Sequence, residues 1–484
     1  MYHSIRLKAL YIFLFTLLVS CKKEFLEFVP KGSLIATTAD EYQLLMNNNT
    51  FYNYNITSGW HLPMLMGDEL AAEGRYFNST GSTTRRAFRW EPVIFDPAVN
   101  DAALSSYLSN IYVCNSIINE VMKVEGTEAQ KKSVQAQAMA TRAWIYFQLV
   151  NLYGKPYLAS TAAQDPGFPI ITEGDINQKT FDRTNVQAVY DFIIKDLTTA
   201  IASLPLENGI RTRMSKPAAE GILGKVYLFM GRNSDALVQL NASINDINRL
   251  SNGPRLYDYN EEFGTGGSFL PIGTTGPAGP LTNVNDYTES LVFKTFPNYN
   301  SGSYGNIGMV IIPEVVRLFD PSDFRLKFYT DKNPNGTANT GGRLRKFVRF
   351  TRFGLELADL YMLTAECKAR LNDLTGAKAI LEAFRKNRMP VAAATVPAEI
   401  ASNQIALLKF IMDERIREYA EEGYRWFDMR RLSVDPLFED QAFTHTIYAI
   451  DNSETVITMD QPNRLVLRLP QTIIDANANM QNNP

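Results

Sequence analysis

The feature that most limits the fold is a helical apolar spacing that recurs along the chain from about residue 39. Tyr42, Leu45 and Met46 keep it first. Residues 101–123 follow, with Leu104, Leu108, Ile111, Tyr112, Ile118 and Met122 on one side. Residues 131–153 form a long segment rich in Ala and aromatics that stops at Gly154, with Pro156 just beyond. Residues 185–203 form another, with Asn185 placed to cap it and Leu204-Pro205 to end it. Two further pairs span 216–231 with 234–249, and 355–371 with 374–387. Residues 403–431 carry a last helical stretch, broken near Gly423. The pattern predicts a mostly α protein. Its 484 residues, 45% apolar, are enough for one large domain or two to three ordinary ones.

Two of the helix pairs share a repeat. Leu223, Gly224, Tyr227, Gly231 and Ala236 keep the small-residue and aromatic offsets of a tetratricopeptide hairpin. Ala365, Ala377 and Leu381 keep part of the same set. Small residues at a helix crossing let two backbones approach, and an aromatic fills the next gap. The motifs lie roughly 140 residues apart, which excludes a tandem array and predicts helix pairs with long insertions between them. Residues 252–345 have the composition of such an insertion, rich in Gly, Pro, Asn and Tyr. Gly264 to Pro280 alone holds six Gly and three Pro. Residues 58–100 form a second irregular stretch. Long loops on a rigid frame are where binding sites concentrate.

Charge and residue usage exclude several classes. Forty-eight Lys and Arg against 51 Asp and Glu give a formal charge of -3, too near zero for a protein that works by neutralising phosphates. Three Cys and three His leave no disulfide framework or Cys/His zinc cluster. Cys114 and Cys367 lie in helical patterns and read as buried thiols. No run of 18 apolar residues occurs, so no helix spans a membrane. The N-terminus is instead an address. Arg6 and Lys8 precede an apolar run from Ala9 to Val19, the length of a signal-peptide core. Leu18-Val19-Ser20-Cys21 resembles a bacterial lipobox, which implies cleavage after residue 20 and acylation of Cys21. More than one acyl chain makes such anchoring stable. The mature chain loses Arg6 and Lys8 and no acid, leaving -5. Residues 22–35 read as a tether.

Catalytic motifs are missing. There is no H-E-x-x-H, G-x-x-x-x-G-K-[ST], G-x-S-x-G or C-x-x-C, and the run Gly264 to Phe269 fails the dinucleotide fingerprint. Only His61 and His445 remain for a triad. Asp68, Glu69 and Glu73 cluster in one irregular stretch, but nothing sets a second carboxylate at a fixed distance from them. In the run from Asp413 to Arg425, Arg417–Glu421 and Glu421–Arg425 are expected to pair along one helix and orient it. What remains is aromatic loop content. Trp60, His61, Arg75, Tyr76 and Phe77 lie in one region. Tyr287, Phe296, Tyr299 and Tyr304 lie in the other. Aromatic faces stack on the C–H face of a sugar ring, while Asn, Asp and Arg bond its hydroxyls.

Several stretches together resemble the SusD/RagB family of outer-membrane nutrient-binding lipoproteins. They are the Cys21 start followed by Phe25-Leu26 and Pro30, AMATRAWIYFQLVNLYGKP (138–156), YDFIIKDLTTAIASLP (190–205), residues 215–227, FIMDERIREYAEEGYRWFDMRR (410–431) and LPQTIIDANANMQNNP (469–484). The resemblance implies a SusD-like α-α superhelix of about four tetratricopeptide-like helix pairs with long irregular loop insertions. On it the mature chain, 21–484, divides into a helical scaffold at about 38–250 and 352–431, a loop-rich ligand portion at about 252–351, and a C-terminal segment at 432–484. It implies no catalysis and a surface-exposed outer-membrane protein that captures oligosaccharide, with a SusC-like TonB-dependent transporter as partner. An importer lid for peptide or another nutrient is the alternative. The expected ligand-binding residues are Trp60, Asp68, Arg75, Tyr76, Tyr287, Tyr299 and Tyr304. Lys22-Lys23 stand where acidic residues usually follow the lipid Cys of this family. Some members hold a Ca²⁺, so the resemblance leaves a calcium ion optional; no acidic loop here has the regular ligand spacing of a calcium site, and no metal ligand or other cofactor is assigned.

Overall fold

The computed structural model describes residues 36–484 apart from 55–57, 97–103, 176–179, 281–285, 298–307, 333–335, 348–349, 439–440 and 478–479. The signal peptide, Cys21, the tether, Tyr299 and Tyr304 lie outside the described residues. The longer helices are α1 (Ala39–Leu45), α2 (Ser105–Glu120), α3 (Glu128–Tyr153), α4 (Val186–Ile201), α5 (Lys216–Phe229), α6 (Asn233–Ile247), α7 (Leu357–Arg370), α8 (Leu374–Arg385), α9 (Gln404–Tyr419) and α10 (Tyr424–Leu432). Side-chain caps set several starts: Thr127 for α3, Asn185 for α4, Ser215 for α5 and Asp373 for α8 each accept a backbone N–H.

The helices stack in chain order. α2 packs on α3, α3 on α4, α4 on α5, α5 on α6, and α7 on α8. α6 packs directly on α7, so the two sequence-distant tetratricopeptide hairpins are neighbours and the insertion between them loops out. The small residues act as the repeat predicts. A Cβ on Gly224 would lie 2.6 Å from Leu240 Cγ and 3.1 Å from the Ala236 carbonyl oxygen, so only glycine admits this crossing. Ala236, Ala365, Ala377 and Leu381 are fully buried. α3 is the spine: from Ala140 to Tyr153 every side chain is buried, so this helix is surrounded rather than amphipathic. Cys114 and Cys367 are free buried thiols, and burial pushes the Cys114 thiol up to about 12.

The irregular stretches hold short strands the periodicity does not announce. Leu70–Glu73 is central in a four-stranded sheet. It pairs in parallel with Thr444–Tyr448 and antiparallel with Met309–Ile311, and Glu454–Thr458 completes the edge. Strands of two to five residues are too short for a readable alternation. The C-terminus closes the far end. Asn483 Nδ2 donates to the carbonyls of Tyr153 (2.8 Å) and Leu467 (2.6 Å), and Arg183 bridges the Asn483 amide oxygen (2.9 Å) to the Tyr153 carbonyl (2.8 Å). The bonds to Tyr153 satisfy a carbonyl orphaned at the end of α3.

α9 and α10 carry the densest buried charge. Glu414 accepts from Arg325 (2.6 Å), Arg417 (2.6 Å) and Arg385. Arg415 bridges Asp359 of α7 (2.6 Å) and Asp428 of α10 (2.7 Å), and Lys225 of α5 joins at Asp359 (2.8 Å). Arg431 spans Glu366 (2.6 Å) and Asp428 (2.8 Å). Burial alone would raise the Glu414 carboxyl, but Arg417, Arg325 and Arg385 together hold it well below the usual carboxylate range. The i, i+4 pairs expected for Arg417–Glu421 and Glu421–Arg425 do not form. α9 ends at Tyr419, Glu421 takes φ +64° and Gly423 φ +88°, so no helix relates these residues. Arg417 turns to Glu414, and Arg425 to Asp68.

Two stability outcomes follow from this region. Glu414→Gln leaves three clustered guanidiniums short of a counter-charge, and urea unfolding is expected to show a loss of about 3–5 kcal/mol. Gly423→Ala places a Cβ 3.1 Å from the Met64 backbone nitrogen in a left-handed conformation, with an expected loss of about 1–3 kcal/mol in the same assay.

Candidate functional site

The last turn of α9 and the turn after it face the insertion across a cleft of about 350 Å³. Its floor is Arg417, Glu418, Tyr419 and Glu422. One wall comes from Lys346, Phe347, Phe350 and Arg352, with Thr295 beside Arg352 on the paired strand. Glu289 and Phe293 continue the lining. Tyr259 and Phe328 also line it, and the rim is the Gly- and Pro-rich segment around 271–280.

Strand geometry aims the wall. Phe350–Arg352 pairs antiparallel with Thr295–Pro297. Side chains alternate faces along a strand, so Phe350 and Arg352 share the cleft side and Thr351 is buried on the other. Phe347 and Phe350 stay half-buried. Gly276, at φ +100°, lets the rim lie against Phe347: a Cβ there would sit 2.7 Å from that of Phe347. The Arg345 guanidinium lies 5.5 Å from the Phe347 ring centre.

The cations lining the cleft carry acid partners. Lys346 Nζ bonds Glu422 (2.7 Å) and donates to the Glu418 (3.0 Å) and Ala420 (3.3 Å) carbonyls, so an ammonium caps the negative end of α9. Arg352 pairs with Asp286 (3.1 Å), Arg325 with Glu418 (3.1 Å), and Arg417 with Glu414. Glu289 and Glu418 both hold the buried Arg388, at 2.8 and 2.9 Å. Glu356, the residue before α7, differs. It is 5% exposed and accepts from Ser290 Oγ at 2.7 Å, and among the described residues it has no ion-pair partner. Burial raises its carboxyl to about 7; Arg352 and the Ser290 bond oppose this, and Glu289 and Asp286 add to it.

Behind the floor lies a pair of raised carboxyls. The Glu421 N–H donates to Glu69 Oε1 (3.4 Å), and Glu421 Oε1 accepts from the Lys346 N–H (2.8 Å). Burial, with Asp68 adding, raises Glu69 to about 7. Burial raises Glu421 to about 8, and Glu69 adds to it.

The predicted site residues do not form one surface. Trp60 is a core residue: it is 3% exposed, its indole stacked between Phe353 (4.2 Å) and Phe427 (5.2 Å), so neither face is open. Asp68 is spent on Arg425 (Nη2–Oδ2 3.0 Å). Glu73 pairs with Arg343 (2.6 Å), so the acids of that stretch diverge into separate ion pairs. Arg75 is exposed and Tyr76 half-buried on the turn Gly74–Phe77, with the guanidinium 5.8 Å from the ring centre. Tyr287 is half-buried, edge-on to Phe293 at 5.0 Å, one ring behind the cleft wall. His61 and His445 are buried, and burial lowers both to about 4; neither lines the cleft. Sequence reasoning missed Phe347, Phe350, Arg352 and Glu356. The stretch RLRKFVRFTRF, residues 343–353, carries a signal: cations and aromatics interleave in a run bounded by glycines. Among the described residues no group of three or more His, Cys, Asp or Glu is placed to hold a metal, and no helix is long and apolar enough to cross a membrane.

Known proteins share this architecture. Residues 71–228 match a SusD-like family described as starch-binding and associating with the outer membrane, and residues 322–484 match the SusD family itself. The chain belongs to the SusD/RagB family. Among its relatives is a SusD-like protein P2 of Formosa agariphila, 24% identical, with 99% of each chain covered. A SusD superfamily crystal structure from Bacteroides thetaiotaomicron aligns with TM-score 0.70 at 19% identity over 92% of this chain and all of that one. A laminarin-binding SusD-like protein aligns with TM-score 0.63 at 18% identity over 92% of this chain and 98% of that one. At these identities the structural matches establish the SusD-like fold.

The carboxyl pair generates a pH prediction. Glu421 is raised in the folded state, so the stability it contributes is complete below about pH 4.5 and is lost as pH rises through about 8. Glu421→Gln keeps the acceptor for Lys346 but cannot ionise. Denaturant titrations at pH 5 and pH 9 are expected to shift in favour of the variant by about 3 kcal/mol at the higher pH.

Proposed function

We propose that this SusD/RagB protein is a non-catalytic glycan-binding lipoprotein of the outer membrane, anchored at Cys21 and exposed at the cell surface. It captures oligosaccharide and delivers it to a SusC-like TonB-dependent transporter. The observation that carries the binding part is the cleft. It joins the half-buried rings of Phe347 and Phe350 to a polar floor, the combination that holds a sugar by its C–H face and its hydroxyls. A volume of about 350 Å³ is within the range of small-ligand sites. The family description as starch-binding and outer-membrane-associated, and the laminarin-binding neighbour, support the same ligand class. The lipobox-like Leu18 to Cys21 supports the anchor.

Isothermal titration of the mature protein against laminari-, malto-, cello- and xylo-oligosaccharides tests the binding. At least one series is expected to bind. Phe347→Ala and Phe350→Ala should each weaken it by about 0.5–1.5 kcal/mol. Absence of binding throughout, or release of reducing sugar by the purified protein, overturns the reading. Cys21→Ser is expected to move the protein from the membrane pellet to the aqueous fraction, checked by detergent phase partitioning.

A further inference from the structure

We propose that Glu356 is the specificity-determining residue of the cleft: its protonated carboxyl donates a hydrogen bond to an oxygen of an uncharged sugar, and the cleft disfavours ligands that carry a negative charge. The inference rests on the glycan-binding reading of the cleft.

The geometry supplies the donor. Ser290 Oγ donates to Glu356 Oε1 at 2.7 Å, so that oxygen is already an acceptor. In the protonated acid the other oxygen carries the hydrogen and has a donor to offer. Register fixes the position, because Glu356 lies opposite Ser290 in the short ladder of Ser290–Val292 with Leu355–Glu356. As the residue before α7 it makes no capping bond to that helix, which leaves the carboxyl to the cleft.

The surroundings keep the proton on. Glu289 and Asp286 act on Glu356 from the segment before Ser290, each paired with a guanidinium, and both raise its carboxyl. Arg352, paired with Asp286, faces it from its own wall and pulls the other way, and Arg211 and Tyr424 also lie within its electrostatic reach. A ligand that fills the cleft removes water and further disfavours the charged form. The lining cations Arg325, Lys346, Arg352 and Arg417 each already hold an acid. A ligand carboxylate or sulfate would have to break one of these pairs, and leaving a buried charge without its partner is costly.

The test is isothermal titration of the mature protein with neutral laminari- and malto-oligosaccharides and with oligogalacturonate, at pH 6.0 and pH 8.5. The wild type should bind a neutral probe about tenfold more weakly at the higher pH. Glu356→Gln keeps an N–H donor that cannot ionise, so its affinity should match that of the wild type at pH 6.0 and stay constant with pH. Glu356→Ala should lose at least tenfold at pH 6.0, with circular dichroism confirming the fold. Oligogalacturonate should bind more weakly than the neutral probe at both pH values. If a neutral probe binds and Phe350→Ala weakens it, but the pH profile is flat or Glu356→Ala binds unchanged, the role of Glu356 is overturned while the cleft stands. Stronger binding of oligogalacturonate overturns the selectivity. No binding of any probe to the wild type overturns the cleft reading and this inference together.

Discussion

Glu414 and the three arginines around it set the constraint on which the rest of the molecule depends. A carboxylate with no exposure is tolerable only if its charge and its lone pairs are both met, and Arg325, Arg385 and Arg417 meet them from three separate parts of the chain. Arg415, one residue on, points the other way and ties α7 to α10 through Asp359 and Asp428. One helix therefore fixes the tetratricopeptide-like stack on one side and the insertion on the other. Apolar packing tolerates slippage between helices, whereas bidentate ion pairs in a dry interior allow very few arrangements.

The same lattice builds the cleft. Glu418 and Arg417 belong to the turn that carries Glu414, and Lys346 reaches the cleft wall by capping the end of α9. A floor of paired charges is polar without being charged overall, which suits a neutral, hydroxyl-bearing ligand. Among the described residues, three carboxyls in and behind the cleft stand outside the ion pairs: Glu356 in the cleft, and Glu69 with Glu421 behind it. Each is raised by burial. Stability around this site is thus highest where these acids are neutral, while the lattice itself needs its acids ionised. The two demands coexist because arginines form ion pairs with one set and not with the other.

Much of the frame was legible along the chain. Asn185 announces the start of α4, Gly154 the end of α3 and Gly423 the break between α9 and α10, because caps and stops act through the local backbone. Gly224 and Ala236 announce a close helix crossing because only small side chains permit it. The aromatic loop residues were less informative. Trp60 and Phe350 are both large rings in irregular sequence, yet one is sealed between Phe353 and Phe427 and the other lines a cleft. Ring content alone does not say which face meets water. The C-terminal Asn482-Asn483 pair likewise has no local signature for its role, since its partners are backbone groups at residues 153, 467 and 469.

By itself, then, the sequence determined the helices, their ends, the hairpin crossings and the family likeness, because each depends on residues within a few positions of one another. Tertiary structure decided which acids find arginines, which rings are covered, and that Leu70–Glu73 joins strands from residues 309 and 444 into one sheet. Those outcomes depend on burial and on contacts across hundreds of residues, and a charge or a ring acquires its meaning only from what the fold places against it.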